Sequence, residues 1–289
     1  MVEALQFLLG GLVVGSIYGL VGIGFTGVYN VTGIVNFAQG DFAMMGAMAV
    51  IALYAAGVPL LPAIVLAIVV MAVVAAGIER LAIRPLKHDV IRGIIVTIGI
   101  GVVLQGTAVL LWGTDAEPMP SFSGDNPLEL FGATLLPQAL WVVGTAAVLM
   151  IGLHLFFQRT YLGKMFRACA VNPFAAGIVG IRVRTMRVIS FALSGVLGAV
   201  AGIIIAPIAL TQFDSGLSLG IKGFVACIIG GFGNPIGAAL GGLVLGVLEA
   251  FATGYLSSGY KNAIAFVLLL LFLFLRPGGL LGEMERVRQ

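Results

Sequence analysis

Asn36, Gln39 and Asp41, three side chains able to hydrogen-bond a small polar solute, stand close together directly after a long apolar run. The stretch from Asn30 to Met48, NVTGIVNFAQGDFAMMGAM, spaces them among Gly33, Gly40 and Gly46. Polar groups at membrane depth are costly unless they are paired or line a wet cavity. Glycines here favour non-helical backbone, which is tolerated only where it is buried in protein or faces water. Two readings stay open: a broken segment lining a translocation path, and a polar turn at the membrane surface with Asp41 as a helix cap.

A second constellation offers docking. Gln158 to Arg187, QRTYLGKMFRACAVNPFAAGIVGIRVRTMR, carries Arg159, Lys164, Arg167, Arg182, Arg184 and Arg187 and no acidic residue. Its middle is a small-residue segment: Asn172, Pro173, Phe174, Ala175, Ala176, Gly177, Ile178, Val179, Gly180 and Ile181. A basic loop between spans belongs on the cytoplasmic side. A short helix held there by flanking charges suits a cytosolic partner; the plain alternative is a loop that only sets topology. Further on, Thr211 to Lys222, TQFDSGLSLGIK, reads as another polar break, as an internally duplicated transporter would have. Lys222 is expected to snorkel to the interface, and Glu249, inside an apolar run, to play a structural part.

The elements that must position these groups are membrane spans. Hydrophobic residues make up 60% of the 289 and charged residues 9%, with mean hydropathy +1.15; soluble domains carry about 25% charged residues. The chain is therefore expected to be an all-α polytopic membrane protein. A crossing takes roughly 20 apolar residues, and candidates fall near 5–29, 36–57, 60–79, 93–112, 138–157, 188–208, 220–233, 236–256 and 262–276. The seventh is short and runs into Gly230-Gly231-Phe232-Gly233-Asn234-Pro235, so about eight full spans plus one short or broken span are expected within a single transmembrane domain, 1–289. The N-terminus lacks a basic n-region and its apolar run exceeds signal-peptide length, so the first span is expected to stay.

Orientation follows from charge. Arg80, Arg84, Lys87 and Arg92, the six basic residues of 158–187, and Arg276, Arg286 and Arg288 mark cytoplasmic regions; the loop 113–137, with Asp115, Glu117, Asp125 and Glu129 and no Lys or Arg, is expected in the periplasm. The net charge of +3 is explained by this topology and does not suggest nucleic acid. Small-xxx-small pairs, Gly11/Gly15/Gly19, Gly198/Gly202, Gly233/Gly237/Gly241 and Gly242/Gly246, allow helices to approach closely in lipid.

Several chemistries are excluded. No G-x-x-x-x-G-K-[ST] is present, so ATP is not bound through a P-loop. His88 and His154 have no clustered Cys or Glu, so no metal site is readable, and Cys169 and Cys227 give no disulfide framework. Ser194-Gly195 lacks the first glycine of a membrane serine protease motif, Ala192 standing there. No cofactor is expected in this chain.

Nearly the whole chain resembles the permeases of the branched-chain amino acid type of ABC importer, of the LivH kind. The pieces that carry the likeness are Gly15 to Leu20 (GSIYGL), Val31 to Asp41 (VTGIVNFAQGD), Glu79 to Leu86 (ERLAIRPL), Leu162 to Ala168 (LGKMFRA), Asn172 to Ile181, Ile229 to Ala238 (IGGFGNPIGA), Tyr255 to Lys261 (YLSSGYK) and Arg276 to Gly282 (RPGGLLG). That family often has His where Gln39 stands and Glu where Asp41 stands.

The resemblance implies the ABC importer permease fold in a bacterial inner membrane. It implies a periplasmic substrate-binding protein, a second LivM-like permease subunit and two cytosolic ABC ATPase subunits as partners. ATP hydrolysis would then belong to the ATPases and no catalysis to this chain. It implies docking of Asn172 to Ile181 in a groove of the ATPase, with Arg167 and Arg182 in charge-assisted contact. The expected cargo is a branched-chain or related hydrophobic amino acid; relatives of this scaffold also import urea, amides, short-chain acids and aromatic acids. A rival reading, an ion-gradient-driven secondary transporter or channel, would need embedded ionisable groups, for which Asp41 and Glu249 are the candidates.

Overall fold

A computed structural model describes residues 2–86, 89–116, 118–124, 126–130, 132–257, 259, 261–276 and 278–282. Of the charges that set orientation, Lys87, Glu117, Asp125, Arg286 and Arg288 lie outside the described residues.

Among the described residues, nine apolar helices stand where about eight full spans and one short or broken span are expected. Six are long and apolar enough to cross a membrane: α1 (Val2–Thr32), α3 (Leu60–Ile78, continued to Leu86 by a π turn and a 3-10 turn), α4 (Val90–Trp112), α5 (Pro137–Arg159), α8 (Val183–Ile205) and α10 (Pro235–Tyr255). Three are shorter: α2 (Gln39–Ala55), α9 (Ser215–Gly230) and α11 (Lys261–Leu275). Between α5 and α8 lie α6 (Tyr161–Val171) and α7 (Pro173–Ile178). Two short antiparallel strands, β1 (Leu128–Leu130) and β2 (Ala133–Leu135), form a hairpin before α5.

The sequence placed the second break wrongly. Ser215 to Lys222 is helical, and the irregular stretch comes before it, at 206–214. Gly216 and Gly220 do not bend the backbone; they let α9 lie against Gly40 and Asp41 at the start of α2. The seventh element is thus a 16-residue helix rather than a fragment beginning at 220.

Glycine spacing decides the central packing. Lipid offers no hydrophobic drive between helices, so close van der Waals approach must hold them. A Cβ on Gly11 would sit 2.6 Å from Val247 Cα, and one on Gly15 2.7 Å from the Gly242 carbonyl oxygen. Gly19 follows against Ala239, so α1 and α10 run antiparallel with backbones in contact. Gly241 likewise meets Ala226 and Gly230 of α9, and Gly202 of α8 meets Ala43 of α2. Exposed Val, Ile and Leu side chains cover α3, α4, α5 and α11, as a lipid-facing rim requires.

The helices alternate in direction and sort the loops onto two ends. At one end Val31 packs with Phe166, Cys169, Ala176 and Met186, and Ile34 with Ile83 and Phe191. At the other, Gln6 exchanges hydrogen bonds with Thr134 over 2.8 and 2.9 Å, and Phe7 stacks edge-on with Tyr255. The described basic residues at 80, 84, 159, 164, 167, 182, 184 and 187 all belong to the first end.

Candidate functional site: a buried polar break and a charged cavity

The chain leaves α1 through Gly33, whose φ of 70° suits a residue without a side chain. It then runs irregularly to Ala38. Thr97 of α4 supports this stretch: its Oγ1 accepts from Phe37 N at 3.2 Å. Asn36, Gln39 and Asp41 are all buried, at 0%, 0% and 4% exposure, which removes the surface-turn reading. Nor does Asp41 cap α2; the N-cap is Ala38, without a side-chain bond.

Each of the three has a different surrounding. Gln39 Nε2 donates to the Ser194 carbonyl at 3.1 Å, and Ser194 Oγ donates to Gln39 Oε1. Asp41 Oδ1 accepts from Gln105 Nε2 at 2.9 Å. Glycines make room for that carboxylate, since a Cβ on Gly216 or on Gly101 would lie 2.5 Å from its oxygens. Neither side-chain polar atom of Asn36 has a hydrogen-bond partner among the described residues.

At the basic end, Asn172 folds the small-residue segment. Its Oδ1 accepts from Ala175 N at 3.0 Å, and Pro173 follows as the first helical residue, both favourable at a helix start. The resulting α7 has six residues, and Gly180, at φ 89°, turns the chain out of it. Only Ala176 packs inward; Phe174, Ile178 and Val179 are 78%, 73% and 76% exposed. Ala175 and Gly177 are exposed beside them, Ile181 is half-buried, and Arg182 precedes α8 on the surface. Arg167 stands apart on α6, where it lines a cavity of about 680 Å³ with Asn30, Phe232 and Asn234. Beneath α7, burial pushes the Cys169 thiol up, while the nearby Arg187 charge pulls it down less strongly.

Lys222 does not snorkel. Its Nζ lies 2.9 Å from Glu249 Oε1, and both residues are buried. Tyr18 OH donates to the same oxygen at 3.1 Å, and Lys261 Nζ stands 3.4 Å from it. The inward pull of a buried carboxylate outweighs the reach of a lysine stem toward water. Sequence reasoning noted Lys222 and Glu249 separately and missed the cluster, because its members come from α1, α9, α10 and α11. Tyr18, Lys222 and Lys261 line a cavity of about 330 Å³ between α1, α2, α8 and α9.

Residues 7–273 match the family described as the branched-chain amino acid transport system permease component. The chain belongs to that family. The permease is 34% identical over 300 residues to the high-affinity branched-chain amino acid transport system permease protein BraD of Pseudomonas aeruginosa, covering 98% of each chain. It is 35% identical over 307 residues to the corresponding LivH of Escherichia coli K12, covering 98% of this chain and 97% of that one. A probable branched-chain amino acid transport permease LivH of Methanocaldococcus jannaschii is 30% identical, with 94% and 91% covered. Among solved structures, PsaBC from Streptococcus pneumoniae in complex with Fab aligns with TM-score 0.53 at 13% identity, covering 94% and 93%. At that identity the likeness is one of fold alone.

Proposed function

We propose that this permease is the membrane-spanning subunit of an ATP-driven importer for branched-chain amino acids. It works with two cytosolic ATPase subunits, a second, different permease and a periplasmic binding protein. The observation that carries the reading is α7. Phe174, Ile178 and Val179 are exposed apolar side chains on and just after a six-residue helix at the basic end of the bundle. Contiguous exposed apolar side chains rimmed by charge mark a protein interaction surface. Arg182 and Arg184 stand close by for acidic partners, and ATP hydrolysis falls to the docked subunits, not to this chain.

The positive-inside rule then makes the basic end cytoplasmic and the end bearing the β1–β2 hairpin periplasmic. On this reading α2 and α9, which meet at Gly40 and Gly216, flank the translocation path, with Asn36, Gln39 and Asp41 on the α2 side. The names of the three permeases given above, each of a branched-chain amino acid system, support the cargo.

The test is a mild-detergent pulldown of the tagged chain, followed by reconstitution in liposomes with leucine-loaded binding protein. Recovery of a P-loop ATPase and ATP-dependent uptake support the proposal. Recovery of this chain alone, active in liposomes without ATP, overturns it in favour of a gradient-driven carrier.

A further inference from the structure

The 330 Å³ cavity lies toward the end that carries the hairpin, opposite α7. Its charged wall is held by a cluster of side chains from four helices, α1, α9, α10 and α11. Tyr18, Lys222 and Lys261 converge on one oxygen of Glu249, at 3.1, 2.9 and 3.4 Å. Two ammonium groups thus share one carboxylate, and the cluster carries one positive charge more than it cancels. Lys222 is buried and Lys261 about half exposed, so the surplus charge is open to an anion in the cavity. An ammonium has three donors, and among the described residues Lys222 makes one hydrogen bond, to Glu249.

The rest of the wall divides by chemistry. Thr211, Ser215 and Ser218 supply hydroxyl groups, and Met44, Ile205 and Leu219 supply an apolar face. The volume falls at the small end of the ~300–1,000 Å³ range of ligand pockets. A site with one surplus cation, a few hydroxyls and an aliphatic wall matches a small molecule with a carboxylate at one end and an aliphatic group at the other.

We propose that this cavity is a binding site for an aliphatic amino acid, with Lys222 and Lys261 pairing its carboxylate and Glu249 fixing the two lysines. The cargo named here rests on the importer reading above; the site itself does not. The substrate carboxylate completes a square of two cations and two anions. The hydroxyls of Thr211, Ser215 and Ser218 receive the substrate ammonium, and its side chain lies along Met44 and Leu219. Tyr18 has a positioning role: its ring lies 5.4 Å from the Lys222 ammonium while its hydroxyl holds Glu249.

Occupancy is read without transport. Ala209, exposed and on the cavity lining, is replaced by cysteine in the intact importer complex. Its reaction with a small impermeant thiol reagent is timed with and without L-leucine. The native Cys169 and Cys227 are buried and shielded. Leucine is expected to slow the reaction. In Lys261→Met the leucine concentration needed rises roughly ten- to hundred-fold, the worth of one charge-assisted hydrogen bond, and Lys261→Arg restores most of it. Lys261 is about half exposed, so Lys261→Met leaves a foldable chain. Lys222→Met/Glu249→Gln, which removes the buried pair without stranding either charge, is expected to abolish protection while the complex still elutes as one species. No protection by leucine in the unaltered cavity overturns the proposal, as does protection that survives both variants or a Lys261→Arg no better than Lys261→Met. Protection without ATP-driven uptake would sustain the site and sink the importer.

Discussion

Gln105 Nε2 on α4 donates to Asp41 Oδ1 at 2.9 Å, and Gly101, one turn back on the same helix, leaves the space that the carboxylate fills. Gly216 of α9 leaves the space on the opposite side. The first turn of α2 is therefore clamped between two helices by one acid and two missing side chains. A Cβ at either glycine meets a carboxylate oxygen at 2.5 Å. Gly101→Ala and Gly216→Ala are each expected to cost about 1–3 kcal/mol, the usual penalty of overpacking. Gly99→Ala, whose Cβ meets nothing within 4 Å, is the control. Thermal unfolding in detergent checks this; equal midpoints for all three would contradict the clamp.

The α1–α10 seam gives a matched pair. Gly10→Ala adds a methyl group to open space, whereas Gly15→Ala drives one to 2.7 Å from the Gly242 carbonyl. The first is expected to leave stability unchanged or raise it by up to about 1 kcal/mol, through helix propensity. The second is expected to lower it by about 1–3 kcal/mol. Midpoints of thermal aggregation in a common detergent decide between them.

Gly177 of α7 faces open space, so Gly177→Trp fits the isolated subunit without a clash. We expect normal expression and insertion together with a loss of roughly 2 kcal/mol or more of ATPase docking, the size of an interface anchor. Uptake falls while the ATPase still hydrolyses ATP. Unchanged transport in this variant would remove α7 from the coupling surface.

Ser123 is exposed in the acidic loop, where its Oγ accepts from Trp141 Nε1 at 2.7 Å. Ser123→Cys is expected to react with an impermeant thiol reagent in intact cells, while Gly177→Cys reacts only after the membrane is opened. The reverse pattern would invert the topology.

The helical plan was legible because spans need long apolar runs, and the chain supplies nine of them in order. The break after α1 was legible too: Asn36, Gln39 and Asp41 stand out against apolar neighbours, and Gly33 supplies the turn. What surrounds them was not. Thr97, Gln105 and Ser194 are ordinary polar residues of apolar helices, and nothing local marks them as partners. The second break was misplaced because Thr211 to Lys222 mixes polar and glycine residues in a way that resembles a loop. Its glycines serve helix contact instead. Lys222 and Glu249 were each visible, but their pairing depends on how α9 lies against α10, a long-range outcome of Gly230, Gly237 and Gly241.

Tyr18 and Glu249 are 231 positions apart in the chain, and the glycine faces around them bring the backbones of α1 and α10 into contact. Order of synthesis and order of packing are therefore opposed. The first helix enters the membrane with its backbone bare along Gly11, Gly15 and Gly19, and its partner emerges only after eight intervening helices have been made. Until then that face of α1 has lipid or another protein against it. Truncation before Pro235 would strand it permanently, so about the last fifth of the chain decides whether the first helix ever finds its place.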